Sequence, residues 1–460
     1  MRHSVEDIPP ARSPEETPVT PPPPPLATVT QPVAVVSERL PWRHTFISLR
    51  VPNFRLFATG HFIAVIAIWM QRIAQDWLVL QLSGSVTAVG FTVALQFLPS
   101  LILGPWGGMV ADRFAKRRIL IMCQSAAAIL AAALAALALT GRIEVWHVYV
   151  IALVLGLVTV LDQPARQVFV HELVGPRYLR NAISVNSTTF QLGGLIGPAI
   201  AGVLLTAVGA GWAFAANAAA CCSTVAMLLL LRRDELFVSA PAPKSKGMLR
   251  EGLRYALSKP TIYWPWLMVG FISVFAMSLP VLLAAFADRV YGIGAGGYGM
   301  LNALVALGAL TGAVASTRRR QLRLRSVVLA AGMYGLMLCL SAAVPTLPLF
   351  GAALVLSGFW CLMFLTASNQ LVQTSSNMSI RGRVMSLYIM VLIGGQALGG
   401  PMIGFIAEHF DPHAGLLVAG GVPALAAATV AVVLARKGEL TLKVDLRNRR
   451  GPLRVVRRAS

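Results

Sequence analysis

Two pairs of opposite charges, Arg72 with Asp76 and Asp162 with Arg166, sit inside strongly apolar sequence. A four-residue spacing puts both members of each pair on one face of a helix. Charges held in apolar spans are costly and usually face a polar interior, so both pairs are candidates for internal ion pairs. For Asp76 the alternatives are a proton site or substrate contact near one mouth of the protein, or an interfacial pair that only orients its helix. For Asp162 and Arg166 they are substrate or gate contact against structural pairing. The polar residues Gln71, Gln75, Asn186, Gln191, Asn302, Trp360, Asn369, Tyr388 and Gln396 are further candidates to line a cavity. Each serves equally well as an interhelical hydrogen bond. Asp288 and Glu408 fall near helix ends, where simple hydration is expected.

The elements that must position these groups follow from composition. Hydrophobic residues make up 56% of the 460 and charged residues 12%, and the mean hydropathy is +0.70. A soluble domain carries about 25% charged residues, so a water-soluble fold is excluded. Apolar stretches of helix-spanning length occur at 55–79, 86–106, 119–140, 146–168, 183–207, 209–231, 264–287, 297–316, 325–344, 348–369, 384–407 and 414–435. About 20 residues of helix cross roughly 30 Å of hydrocarbon. The runs are continuous rather than alternating, which excludes a transmembrane barrel and leaves helices. The expected fold class is an all-α membrane protein of twelve spans.

The formal charge of +21 raises nucleic acid as a partner. Its placement argues otherwise: the basic groups are spread over Lys116 to Arg118, Arg232 to Lys259, Arg318 to Arg325 and the Arg-rich tail. Excess Lys and Arg stay on the cytoplasmic side, and placing both ends there leaves only Arg72, Arg142 and Arg289, of 39 basic residues, in the outer half. Anchoring at an anionic membrane surface accounts for the rest.

The chain divides at its loops. Residues 1–50, with the run Pro21 to Pro25, cannot bury enough apolar surface to order themselves and read as a disordered cytoplasmic tail. The N-terminus lacks the basic stretch and short apolar core of a cleavable signal. Residues 51–231 and 264–435 each hold six spans. The linker 232–263 places Leu249, Leu253 and Leu257 among Arg250, Arg254 and Lys259, the pattern of a basic amphipathic helix, and 436–460 is a basic tail. A shift of 203 residues lays Gln167 on Gln370, Arg180 on Arg383 and Gly197-Pro198 on Gly400-Pro401. The triple Arg318-Arg319-Arg320 follows the eighth span much as Lys116-Arg117-Arg118 follows the second, as two related six-helix bundles require. Cys123, Cys221, Cys222, Cys339 and Cys361 lie in apolar runs without metal-ligand or disulfide spacing and read as small buried hydrophobes.

Between spans two and three the chain reads Gly107-Gly108-Met109-Val110-Ala111-Asp112-Arg113-Phe114-Ala115-Lys116-Arg117-Arg118. It resembles the signature loop of the major facilitator superfamily, with Ala115 where that signature carries its second glycine. The resemblance implies a cytoplasmic latch built from Gly108, Asp112, Arg113, Lys116, Arg117 and Arg118; the structural alternative is a solvated loop that only fixes topology. Gly193, Gly197, Pro198 and Gly202 in span five resemble that superfamily's antiporter motif, although glycine at every fourth position also serves plain helix packing. The string Trp69-Met70-Gln71-Arg72-Ile73-Ala74-Gln75-Asp76, with Pro164-Ala165-Arg166-Gln167, is similar to the bacterial drug and siderophore exporter branch, which includes macrolide and enterobactin exporters. That likeness covers about residues 50–440.

There is no His-Glu-x-x-His metal pair, no Gly-x-Ser-x-Gly elbow and no phosphate loop ending in Lys-Ser or Lys-Thr, so neither enzyme chemistry nor direct ATP drive is expected, and no cofactor or metal. The expectation is a plasma-membrane secondary transporter exporting a small amphiphilic molecule by alternating access, with protons as coupling ion. An importer of the same fold, or a membrane sensor using the proline-rich tail as a ligand, are the alternatives.

Overall fold

The computed structural model describes residues 47–237, 248–317, 323–377, 380–437, 440–444 and 453–457. The chain divides into Met1–Thr45 and Phe46–Ser460, and all described residues belong to the second unit. The proline-rich run and the Arg318-Arg319-Arg320 triple lie outside the described residues.

Among the described residues, twelve helices are long and apolar enough to cross a membrane. The first six are α1 (Pro52–Ser83), α2 (Val86–Arg113), α3 (Lys116–Leu139), α4 (Val145–Leu179), α5 (Asn181–Ala207) and α6 (Ala210–Leu230). The short α7 (Met248–Ser258) precedes α8 (Pro260–Val290), α9 (Gly294–Thr317), α10 (Leu324–Ala343), α11 (Leu347–Ser375), α12 (Arg381–His409) and α13 (Pro412–Lys437). Local chemistry sets the boundaries. Proline occupies the first turns of α1, α8 and α11, where its missing N–H costs nothing. Gly84 ends α1 in the left-handed region at φ 64, and the Ser85 side chain then accepts from Ala88 N to cap α2.

Helices α1–α6 form one bundle, in which α1 packs on α4, α5 and α6 and α3 on α6; α8–α13 form the other, with α9 on α11 and α10 on α11 and α13. The bundles meet along two seams, α2 on α12 and α5 on α9.

Some elements depart from the sequence expectation. Residues 169–182 are helical, so α4 and α5 form one stretch, Val145–Ala207, kinked at Gly175 (φ 64, ψ −177). The apolar criterion ends at the charged His171, Glu172, Arg177 and Arg180, but the helix continues past them. In α8 the segments Ile272–Ala276 and Phe286–Val290 are π-helical and flank Pro280, which removes a backbone donor and forces the ladder to adjust. In α7 the Leu253 and Leu257 side chains are exposed, as an interfacial helix requires. The region read as a basic tail contains two strands, β1 (Leu440–Val444) and β2 (Leu453–Arg457), paired antiparallel with Leu442 opposite Val455. Apolar and polar residues alternate through Leu440-Thr441-Leu442-Lys443-Val444, the period of a strand.

Candidate functional site

Glycine sets the seams. A Cβ on Gly90 of α2 would stand 2.2 Å from the carbonyl oxygen of Gly400 of α12, and one on Gly400 would stand 2.6 Å from that of Gly90. On the other seam a Cβ on Gly299 would lie 2.6 Å from the Pro198 oxygen, and one on Gly202 3.1 Å from that of Gly296. Only backbone fits at these approaches. Of the antiporter-like residues, Gly202 and Pro198 therefore join the bundles. Gly193 and Gly197 instead admit Val65 and Trp69 of α1 within their own bundle. The two seams involve the Gly197-Pro198 and Gly400-Pro401 pairs that the 203-residue offset superimposes.

Side-chain hydrogen bonds between the bundles cluster at the end remote from Lys116–Arg118. Ser85 Oγ and Thr87 N donate to Glu408 Oε2 at 2.6 and 2.8 Å. An Arg289 N–H donates to Gly84 O at 2.7 Å. The Tyr298 hydroxyl donates to Asp76 Oδ2 at 3.2 Å, and its ring stacks on Trp77 at 5.8 Å between centroids. This end is shut by backbone packing and a polar clasp. Asp288 is exposed, as expected of a hydrated end residue, whereas Glu408 is half-buried and bonds across the bundle boundary.

Behind the closure lies a cavity of about 270 Å³ between the bundles, bordered by Arg72, Asp76, Gln191, Asn302 and Gln396 on a mainly apolar wall. A second, of about 230 Å³, lies within the first bundle and is bordered by Gln71, Gln75, Asp162, Arg166, Asn186 and others. Trp69, Arg72, Gln96, Phe97 and Phe190 border both. Asn302 donates to its own helix at Tyr298 O, and Gln71 accepts from Asn217. Asn369 instead bonds Gln373 in its own helix, Trp360 packs edge-on against Phe359, and Tyr388 is buried; none of the three borders either cavity.

The two charged pairs differ. Arg166 binds Asp162 through two bonds, Nε to Oδ2 at 2.9 Å and an N–H to Oδ1 at 2.8 Å, while Gln124 Nε2 donates to Oδ1 at 3.2 Å. Another Arg166 nitrogen lies 3.0 Å from His61 Nδ1, so that ring nitrogen is the acceptor. Arg72 and Asp76 make no ion pair. The Arg72 guanidinium lies over the Trp69 and Phe97 rings, 5.3 and 5.5 Å from their centroids, and Asp76 turns to Tyr298 instead. The rings provide face attraction that competes with a nearby carboxylate.

In the signature segment, Gly107 through Arg113 belong to α2, so the expected loop is largely helix. Ala115 caps α3 with φ −60 and ψ 116, an extended conformation that does not need glycine. Gly108 faces open space; Arg113 and Arg118 are exposed. Lys116 is buried 3.8 Å from Glu172, and Arg117 donates to Leu228 O and Leu229 O, satisfying the last carbonyls of α6. The Asp112 side chain, proposed as the heart of the latch, lies outside the described residues. Among the cysteines, Cys123 and Cys221 are buried, Cys339 and Cys361 are half-buried, and Cys222 is exposed, which corrects its reading as a buried group. Cys361 borders the inter-bundle cavity.

His61, Gln96, Gln124, Asn217 and Tyr298 were not singled out from sequence. His61 carried a signal: it is ionisable, lies inside a span, and shares the α1 face of Gln71 and Gln75.

Two six-helix bundles meeting on glycine seams around a central cavity define a secondary-transporter architecture, the major facilitator fold. The chain belongs to the transmembrane secretion effector family of that superfamily, whose profile it matches over residues 43–452. It is 28% identical over 380 residues to the enterobactin exporter EntS of Citrobacter koseri, covering 80% of this chain and 88% of that one. Among solved structures, the nucleoside transporter NupG superposes with a TM-score of 0.65 at 13% identity, covering 83% of this chain and 99% of that one. A bacterial homologue of the human lysosomal transporter Spinster, in its inward-facing unoccupied conformation, gives 0.62 at 16%, covering 84% and 95%. These two likenesses show the fold. The protein is a multi-pass inner-membrane protein.

Proposed function

We propose that the protein exports a small amphiphilic molecule, of the siderophore or drug kind, by proton antiport and alternating access, without changing it chemically. The observation that carries this reading is the inter-bundle cavity, mostly apolar with a few convergent polar groups, lying directly behind an end that is shut by bundle-to-bundle contacts. Such a site holds an amphiphile. Rocking the bundles about it would part the Gly90–Gly400 and Gly299–Pro198 seams and release the occupant at that end. The placement of basic residues supports an orientation with both termini cytoplasmic and the seams outside, in which the conformation described would face inward. The enterobactin exporters among its relatives support export as the direction.

Each proton moved through 100 mV supplies about 2.3 kcal/mol, enough to sustain accumulation. Asp76 is the favoured carrier because it borders the cavity with no cation bonded to it, while Asp162 is committed to Arg166. The test is uptake of a panel of labelled siderophores and drugs into inverted membrane vesicles, with and without an uncoupler. Accumulation abolished by the uncoupler is expected; absence of accumulation for every compound would remove the reading.

A further inference from the structure

We infer that the inter-bundle cavity selects amphiphiles bearing an acidic group on an aromatic or apolar body, with the Arg72 guanidinium as their counter-ion. The inference deepens the proposed function, resting on it only in taking this cavity as the substrate site.

A ligand in the cavity would meet few charges that are not already partnered. Asp162 and Arg166 neutralise one another through two hydrogen bonds, and another nitrogen of Arg166 faces His61. Asp76 borders the cavity, but its oxygens are engaged or enclosed: Oδ2 takes the Tyr298 hydroxyl, and Oδ1 is fully buried without a partner. Arg72 is the exception. Its side chain makes no hydrogen bond or ion pair among the described residues, and none of its nitrogens is among the fully buried unpartnered atoms. It borders both cavities.

A guanidinium has five N–H donors in a fixed fork and no way to accept. Here Trp69 and Phe97 hold its plane, which satisfies the faces and leaves the donors on the edge. A carboxylate or phenolate matches that edge with charge-assisted bonds about twice as strong as neutral ones. The neutral amides Gln96, Gln191, Asn302 and Gln396, with the hydroxyl residues Ser278 and Tyr334, make up the rest of the polar border, and most of the wall is apolar. A cationic amphiphile would meet a like charge there instead.

The test uses three probes of one shape, 2-naphthoate, 2-naphthamide and (2-naphthylmethyl)trimethylammonium, titrated calorimetrically into the purified full-length protein in lipid nanodiscs. Naphthoate is expected to bind about tenfold or more tighter than the amide, and the ammonium more weakly than both. It should also protect Cys361 from alkylation, read by peptide mass spectrometry. Arg72→Gln should erase the preference for carboxylate over amide, and Arg72→Lys should keep part of it. Should Arg72→Gln fail to fold, Asp76→Asn leaves the guanidinium in place and should keep or raise the preference. Equal binding of carboxylate and amide, tighter binding of the ammonium, no binding of any probe, an unchanged preference in Arg72→Gln or its collapse in Asp76→Asn would each overturn the inference. Efflux is read separately: anion preference without efflux removes the transport reading alone, and efflux without anion preference removes this one alone.

Discussion

Tyr298 of the second bundle bonds through its hydroxyl to Asp76 of the first, one helical turn beyond the unpaired Arg72, so the closed end and the carboxylate bordering the inter-bundle cavity share one contact. On the proposed mechanism, a proton taken up by Asp76 would act on one of the contacts that hold this end shut.

Asp76→Asn keeps an oxygen able to accept from Tyr298 but cannot carry the proton. The variant should fold and retain the closed seam, while the uncoupler-sensitive part of vesicle accumulation disappears. Full retention of that part would remove Asp76 as the carrier.

Valine at Gly400 or Gly90 forces α2 and α12 apart, because the added carbons meet carbonyl oxygens well inside contact distance. Gly400→Val should lengthen spin-label distances between positions 82 and 410, both exposed at that end, and lower transport by about tenfold or more, the cost of losing well over 1 kcal/mol of closed state. Unchanged distances would show that the seam does not set the gate.

Glu408 separates acceptor from charge. Glu408→Gln keeps an oxygen for Ser85 and Thr87 and should behave nearly as the native protein in the same distance measurement. Glu408→Ala leaves both donors unsatisfied and should open the gate by roughly 1–3 kcal/mol of population shift.

Arg166 and Asp162 form a half-buried pair at the border of a cavity, and removing one partner strands the other. Arg166→Gln alone should cost roughly 1.5–3 kcal/mol, seen as a fall in melting temperature, and Arg166→Gln with Asp162→Asn should recover much of it. Additive losses would show that the pair is not coupled.

The twelve spans were legible because apolar length sets a span, whereas of the two seams only Pro198, Gly202 and Gly400 had been singled out, and not the Gly90, Gly296 and Gly299 they meet. The partner each charge takes was not legible either. Arg72 and Asp76 have the same four-residue spacing as Asp162 and Arg166, yet only the second pair closes, because Trp69, Phe97 and Tyr298 compete for the first. Those competitors come from other turns and other helices, which spacing within one helix cannot reveal. Glu408 was read as hydrated for the same reason: Ser85 and Thr87, its partners, lie over 300 residues away in sequence. The end of α4 was missed because helix and hydrocarbon do not stop at the same residue.

Because main-chain atoms, not side chains, form the Gly90–Gly400 junction, the door and the lock are built from different parts. Residues around the chamber are free to drift toward new cargo over evolutionary time without loosening the hinge, a division of labour that lets one scaffold serve many chemistries.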